Sequence, residues 1–401
     1  MRDDNKAASS ERGAVLIHVA LALVALMAFS TFTIDYGVLW TARRQTQNAA
    51  DGGALAGAVA LAFDNATDFS DTGPAKSNAY TIMMTHPIWG VPPVVNITTD
   101  ITFPACPDDG TSNCIRVEVF RNSTRGNALP MMFGQLVGLT TQGVRAVAMA
   151  KVANANASDC LKPWGLADKW DERNPTPQAW TYTDTYDPTQ PGGASGPDLY
   201  TAQNGTSPGT GFTLAADYGT FVQLKVGSPH DAINPGWFQP LDVTGGGGAA
   251  YRANISGCVG KIWKIGDDIP KENGNMIGPT KQGTDDLIAL DPNATWDNIN
   301  KVVTGSCVAN NSCVDANGQP IQYSESPRIV AIPVFDLDYY LQTGGTGNGT
   351  VRIVNILGFF VTAMSGNDVT GYLCTKPSLL VAGGGTIASA SAFVKVITLI
   401  R

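Results

Sequence analysis

Residues 14–34 read AVLIHVALALVALMAFSTFTI, a run without Lys, Arg, Asp or Glu. At about 1.5 Å per helical residue it spans a hydrocarbon core of about 30 Å, so it predicts a membrane-crossing helix with ends at Ala14 and Ile34. After Asp35 no proline occurs until Pro74, and Ala, Leu, Gln and Arg dominate up to Phe63, so the helix is expected to run on as a stalk. Ala49, Gly53 and Gly57 recur every fourth position and share one face. Such a small-xxx-small stripe lets helix backbones approach closely. A helical glycine costs about 1 kcal/mol relative to alanine, so packing against partner helices is expected to compensate.

From residue 64 the pattern changes to short β-rich runs. Residues 115–120 alternate apolar and polar positions, as a half-buried strand does. Residues 328–335 and 351–361 are nearly continuous apolar runs, which predicts strands buried on both faces. Further strands are expected at 94–98, 144–150, 221–226, 369–374 and 393–400, and short helices at 128–137, 284–290 and 296–303. Residues 154–220 are rich in turn formers, with Trp164, Trp170 and Trp180 expected to pin them to a core. The pattern as a whole predicts an α+β chain: a long transmembrane and stalk helix followed by a β-rich, loop-rich ectodomain. Its expected parts are a membrane anchor and stalk over 1–63, a small α+β module over 64–153 and a β-rich domain over 154–401.

Composition sharpens this. The 26 Lys+Arg against 34 Asp+Glu give a net charge of -8, and only 5 of the acids are Glu. A Glu-poor chain with 44 Gly and 24 Pro is not mostly helical. The acidic balance excludes the basic footprint of a nucleic-acid binder. With His18, His86 and His230 far apart, a His-rich metal site is not expected. Arg2, Lys6 and Arg12 precede the apolar run while Arg43 and Arg44 follow it, so the positive-inside bias is slight. The N-terminus is placed inside because the large cysteine-bearing remainder suits an exported compartment. The run exceeds the ~7–15 residues of a signal-peptide core, so an uncleaved anchor is expected.

The order Arg12-Gly13-Ala14-Val15, an apolar span, Asp35-Tyr36-Gly37, Ala42-Arg43-Arg44-Gln45 and Gln47-Asn48-Ala49-Ala50-Asp51, then an Ala/Gly run, resembles the N-terminal domain of TadE/TadG-like Flp pilus-assembly proteins. The resemblance covers about the first 60 residues. It implies a bacterial inner-membrane protein associated with Tad pilus and secretion machinery. Pseudopilins of that system carry Glu at the fifth position after a cleavage-site glycine. Counted from Gly13, that position here is His18. The departure points to the TadG-like branch, in which the span stays as an anchor, and away from a major filament subunit.

Cys106 and Cys114 flank one turn-rich stretch and Cys307 and Cys313 another, so each pair is placed to close a small disulfide loop. One further bridge among Cys160, Cys258 and Cys374 would leave one thiol, and the spacing does not choose among them. Disulfides imply an oxidising compartment such as the periplasm. No phosphate-binding or nucleophile-elbow motif occurs. The acidic stretches 291–297 and 336–338 lack calcium-loop spacing and are expected to cap and turn the chain. No cofactor or metal ligand is therefore expected. The leading expectation is a non-enzymatic, single-pass structural or accessory component of a Tad/Flp-type system, its ectodomain in the periplasm or at the cell surface. Its expected partners are other pilus or envelope proteins and membrane lipid, with no nucleic acid. The alternative is a membrane-anchored envelope hydrolase or carbohydrate-binding module, with Glu272 or Glu325 as an acid beside an Asp.

Overall fold

The proline-free N-terminal stretch forms one helix, α1 (Asp4–Phe63). The computed structural model describes residues 4–64, 68–173, 178–181, 183–189, 196–227, 231–258, 260–274, 276–315, 317–344 and 349–400; His230 lies outside them. The chain divides into two compact units, Met1–Val152 with Ile397–Arg401, and Ala153–Val396.

In the first unit the second half of α1 buries Ala42, Thr46, Ala49, Ala50, Ala54, Ala58 and Leu61, the i, i+3/i+4 stripe of one helix face. Against it lies α2 (Pro74–Met84), which starts on a proline whose missing N–H would have been an orphan anyway. Residues 94–98 are not the expected strand. The Asn96 side chain accepts from the N–H of Thr98 and Thr99 and caps a short helix, α3 (Ile97–Asp100).

The chain then forms antiparallel β1 (Ile101–Thr102), β2 (Cys114–Arg121) and β5 (Val144–Asn154), and between β2 and β5 in sequence a separate small hairpin of β3 (Leu129–Pro130) and β4 (Thr141–Gln142). The helix expected at 128–137 is that hairpin. Only a single 3-10 turn survives over Gly134–Val137, closed by Gly138 at φ 85°. One face of β2, with Ile115, Val117 and Val119, joins the core made by α1 and α2. On the other face Glu118 pairs with Arg116 and Arg145.

The second unit runs β6 (Ala157–Ser158), β7 (Trp164–Ala167), α4 (Leu214–Asp217), β8 (Phe221–Val226), β9 (Trp237–Pro240), α5 (Gly247–Ser256), β10 (Trp263–Lys264), β11 (Asp268–Pro270), α6 (Ile277–Ala289), β12 (Thr295–Asp297), β13 (Val302–Thr304), β14 (Ile329–Phe335), α7 (Leu337–Tyr339), β15 (Thr350–Ser365), β16 (Asp368–Cys374), β17 (Lys376–Pro377) and β18 (Val394–Ile400), whose last residues return to the first unit. Among the described residues, six strands close a barrel in the order β15, β14, β7, β9, β8, β16 and back to β15. Long β15 serves twice on one edge, pairing β11 through Val351 and β16 from Gly358 onward.

Alternate residues point inward: Trp164, Leu166, Val222, Leu224, Phe238, Val330, Ile332, Val334, Leu357, Phe359 and Leu373 fill one core with Tyr251 of α5 and Leu287 of α6. The outward set, including Ala331, Phe335 and Ile356, packs under the surrounding loops with Trp170, Tyr186 and Trp237. That is why 328–335 and 351–361 read as continuous apolar runs. Closure requires Gly371, where a side chain would strike Phe360 O and the Phe359 ring.

The helix expected at 296–303 is the β12–β13 hairpin. The Asp297 carboxylate accepts from the N–H of Ile299 and Asn300, the Asx geometry that turns a chain instead of winding it. A long apolar helix followed by a β-rich domain with a closed barrel is the α+β architecture that the pattern predicts.

Candidate functional site

Ala14 and Ile34 both lie within α1, and the side chains from Val15 to Phe29 are exposed. A soluble core helix would bury them, so this stretch is long enough and apolar enough to cross a membrane. Just beyond it come Tyr36, stacked on Phe32 at 6.0 Å, and Trp40, with the Arg44 guanidinium 5.7 Å from its ring. Aromatic residues at this position suit a membrane–water boundary.

Asp35, the first charge after the run, organises the contact between α1 and the β3–β4 hairpin. Its carboxylate accepts from the backbone N–H groups of Met132 (2.8 Å), Phe133 (3.1 Å) and Gly134 (2.6 Å). Three successive N–H groups converging on one carboxylate form an anion-holding nest, and charge-assisted bonds of this kind are strong. Below it, between the apolar half of α1 and the hairpin, runs a groove of about 600 Å³. Val24, Met27, Ala28 and Phe32 form one wall and Met131, Phe133 and Leu139 the other, with Asp35 and Gln142 also lining it. Sequence reasoning passed over Asp35 as a marker of the span's end. The available signal was a lone acid directly after an uncharged run, with an uncharged loop elsewhere in need of an anchor.

Ala49 is buried in the core of the first unit, and Gly53 and Gly57 face the chain's own α2. A Cβ at Gly53 would lie 2.6 Å from Met83 Cγ, and one at Gly57 would overlap Ile115 and approach Ala75 O at 3.0 Å. In this geometry α2 and β2 lie against the stripe at Gly53 and Gly57.

The apolar half of α1, Asp35 and the small-residue stripe together fall within one matched region. Residues 13–60 match the family described as Putative Flp pilus-assembly TadE/G-like. The TadE/G-like region thus contributes both the candidate span and the helix face on which the first unit is built. No curated protein and no solved structure matches the chain.

Elsewhere the chemistry is structural. Disulfides join Cys106 to Cys114, Cys307 to Cys313 and Cys160 to Cys258, and Cys374 is a buried free thiol. Cys106, Asp108 and Asp109 lie close enough together to suggest a metal site. However, the Cys106 sulphur is committed to its disulfide, and Lys151 Nζ sits 2.6 Å from each carboxylate. Lys151 and the Thr111 amide and hydroxyl hold the Asp109 carboxyl down to about 2.

Glu325 is paired with Lys376, and burial raises its carboxyl against that pull. Glu272 is raised by burial and by the charge of Asp242. Asp291 accepts from Ser306 Oγ, Ser326 Oγ and the Cys307 N–H, and Asp336 caps α7, which are tying and capping roles. Among the described residues none of these groups assembles a convincing catalytic or metal site.

Proposed function

We propose that the chain is a single-pass, membrane-anchored structural or accessory component of a Tad/Flp-type pilus assembly or secretion system. Its β-rich domain would stand in the periplasm or at the cell surface and act through protein contacts. The observation that supports this best is the coincidence of the TadE/G-like region with the exposed apolar helix and the helix face that carries the first unit. Because α2 and β2 lie against the stripe at Gly53 and Gly57, partners are expected to meet the ectodomain surface or the apolar half of α1.

The test is to delete the gene in a piliated host and isolate the full-length tagged chain from detergent-solubilised membranes. The reading requires fewer surface filaments in the deletion strain and recovery of other pilus-assembly proteins with the chain. Unchanged filament number together with no recovered pilus protein would overturn it.

A further inference from the structure

We propose that the groove between the membrane end of α1 and the β3–β4 hairpin seats a phospholipid acyl chain, so that residues 131–142 lie in the membrane interface. The inference rests on the membrane-anchor reading of α1 and adds a second membrane-contacting element to it.

Three observations carry it. The helical wall, Val24, Met27, Ala28 and Phe32, belongs to the same uncharged run that is long enough to cross the bilayer. If that wall lies in hydrocarbon, the facing wall lies there too.

The facing wall is suited to it. From Gly126 through Val144 the chain carries no Lys, Arg, Asp or Glu, although charged residues make up 15% of the whole. Within that stretch Met132 and Leu139 remain exposed, at 64% and 51%. Exposed apolar side chains on an uncharged loop beside an exposed apolar helix wall make the kind of patch that marks a membrane contact. The backbone is prepared as well. Asp35 satisfies three consecutive N–H groups that would otherwise be costly to bring near hydrocarbon.

The dimensions choose the occupant. Val24 and Asp35 are eleven residues apart, about 16 Å along a helix, which is about half of a ~30 Å hydrocarbon core and hence one leaflet. The lining along that length is mostly apolar, so a lipid acyl chain of one leaflet matches both its length and its chemistry.

The test uses the full-length chain with one added thiol, because six cysteines are paired and Cys374 is buried. Leu139→Cys, Met132→Cys, Val24→Cys and Ile299→Cys are each labelled with an environment-sensitive fluorophore. Each is then reconstituted in phosphatidylethanolamine–phosphatidylglycerol vesicles whose acyl chains carry bromine as quencher. Ile299 is 92% exposed in the second unit and reports water.

The expected result is quenching at positions 139 and 132 within about twofold of that at 24, with position 299 unquenched. Quenching at 24 but none at 139 or 132 would overturn the inference and leave the anchor intact. No quenching at 24 would overturn the anchor reading itself. Oxidative cross-linking of unlabelled Leu139→Cys chains into dimers, with quenching lost, would place a second copy in the groove and also overturn the proposal.

Discussion

At the scale of single residues, two aspartates show how one side chain acquires opposite roles from its surroundings. Asp35 is surrounded by donors, and its value is positional because it fixes the 132–134 backbone to α1. Asp35→Asn keeps the size but turns an amide NH₂ toward N–H groups, leaving at least one donor unsatisfied at a cost of about 1–3 kcal/mol. Amide exchange at Met132, Phe133 and Gly134 should then accelerate by about 5- to 150-fold in the full chain, and unchanged protection would refute the nest. Asp168 is fully buried. It accepts from the Lys169 N–H at 2.9 Å and from Tyr200 Oη at 3.2 Å, and burial pushes its carboxyl up to about 7 against those bonds. The charge of Asp336 pushes in the same direction, while the neighbouring Lys169 ammonium is engaged by Asp217. With the folded value above the unfolded one, the native state binds the extra proton between about pH 4 and pH 7. Stability should therefore fall as pH rises through that window, by an amount on the order of a few kcal/mol, and level off above it. Asp168→Asn should flatten the slope of the urea midpoint against pH in this interval; an unaltered slope would mean the carboxyl titrates normally.

At the scale of elements, the α1–α2 contact depends on missing side chains. Gly57 sits against buried Ile115 and the Ala75 carbonyl, whereas Gly53 meets the flexible Met83 chain. Gly57→Ala is therefore expected to cost about 1–3 kcal/mol by overpacking, and more than Gly53→Ala. At Gly52 an added Cβ would lie 3.3 Å from Ile82 Cγ2, so this position should tolerate alanine best of the three, because the gain in helix propensity is about 1 kcal/mol. Thermal unfolding of the three variants ranks them, and equal midpoints would show that the stripe is not tightly packed. The same elements show what the sequence could disclose. Long periodic segments were legible: α1, β2, β5, β8, β14, β15, β16 and β18 fall where apolar pattern places them, because burial on one face or both writes a period into the chain. Residues 94–98, 128–137 and 296–303 were misread because a cap at Asn96, left-handed Gly138 and the Asx turn at Asp297 decide structure through single polar or glycine positions. Barrel closure was not legible either. β7 and β9 contribute four residues each, too few for a periodic signal, and Trp164 of β7 reads as an aromatic in a turn-rich stretch. Of the candidate site, the span and the small-residue stripe were visible, but what the stripe touches depends on α2 arriving from elsewhere in the sequence, and so does the nest on Asp35.

At the scale of the whole molecule, the least self-sufficient part of the barrel is also the part held covalently. The Cys160–Cys258 bridge closes a loop with a sequence separation of 98, and β7, β8, β9 and α5 all lie inside it. A loop of that length restricts the unfolded chain by about 4–5 kcal/mol in the chain-entropy model, about twice the effect of the loops closed by Cys106–Cys114 or Cys307–Cys313. The bridge also sits beside a buried cation: Lys162 Nζ donates to Gly257 O at 2.6 Å and lies 3.9 Å from Cys160 Sγ. Burial pulls that ammonium down to about 7, so the disulfide end of α5 is held by a group that is costly to keep there. Removing the bridge with Cys160→Ser and Cys258→Ser should therefore act on the second unit. Amides in β7, β8 and β9 should lose hydrogen-exchange protection by several hundredfold or more, while those of β2 and β5, in a unit with its own core and the Cys106–Cys114 bridge, keep theirs. Equal loss in both units would mean that the chain unfolds as one cooperative body. No loss in either would mean that the barrel holds its short strands by packing alone, and that the long covalent loop contributes little to the second unit's stability.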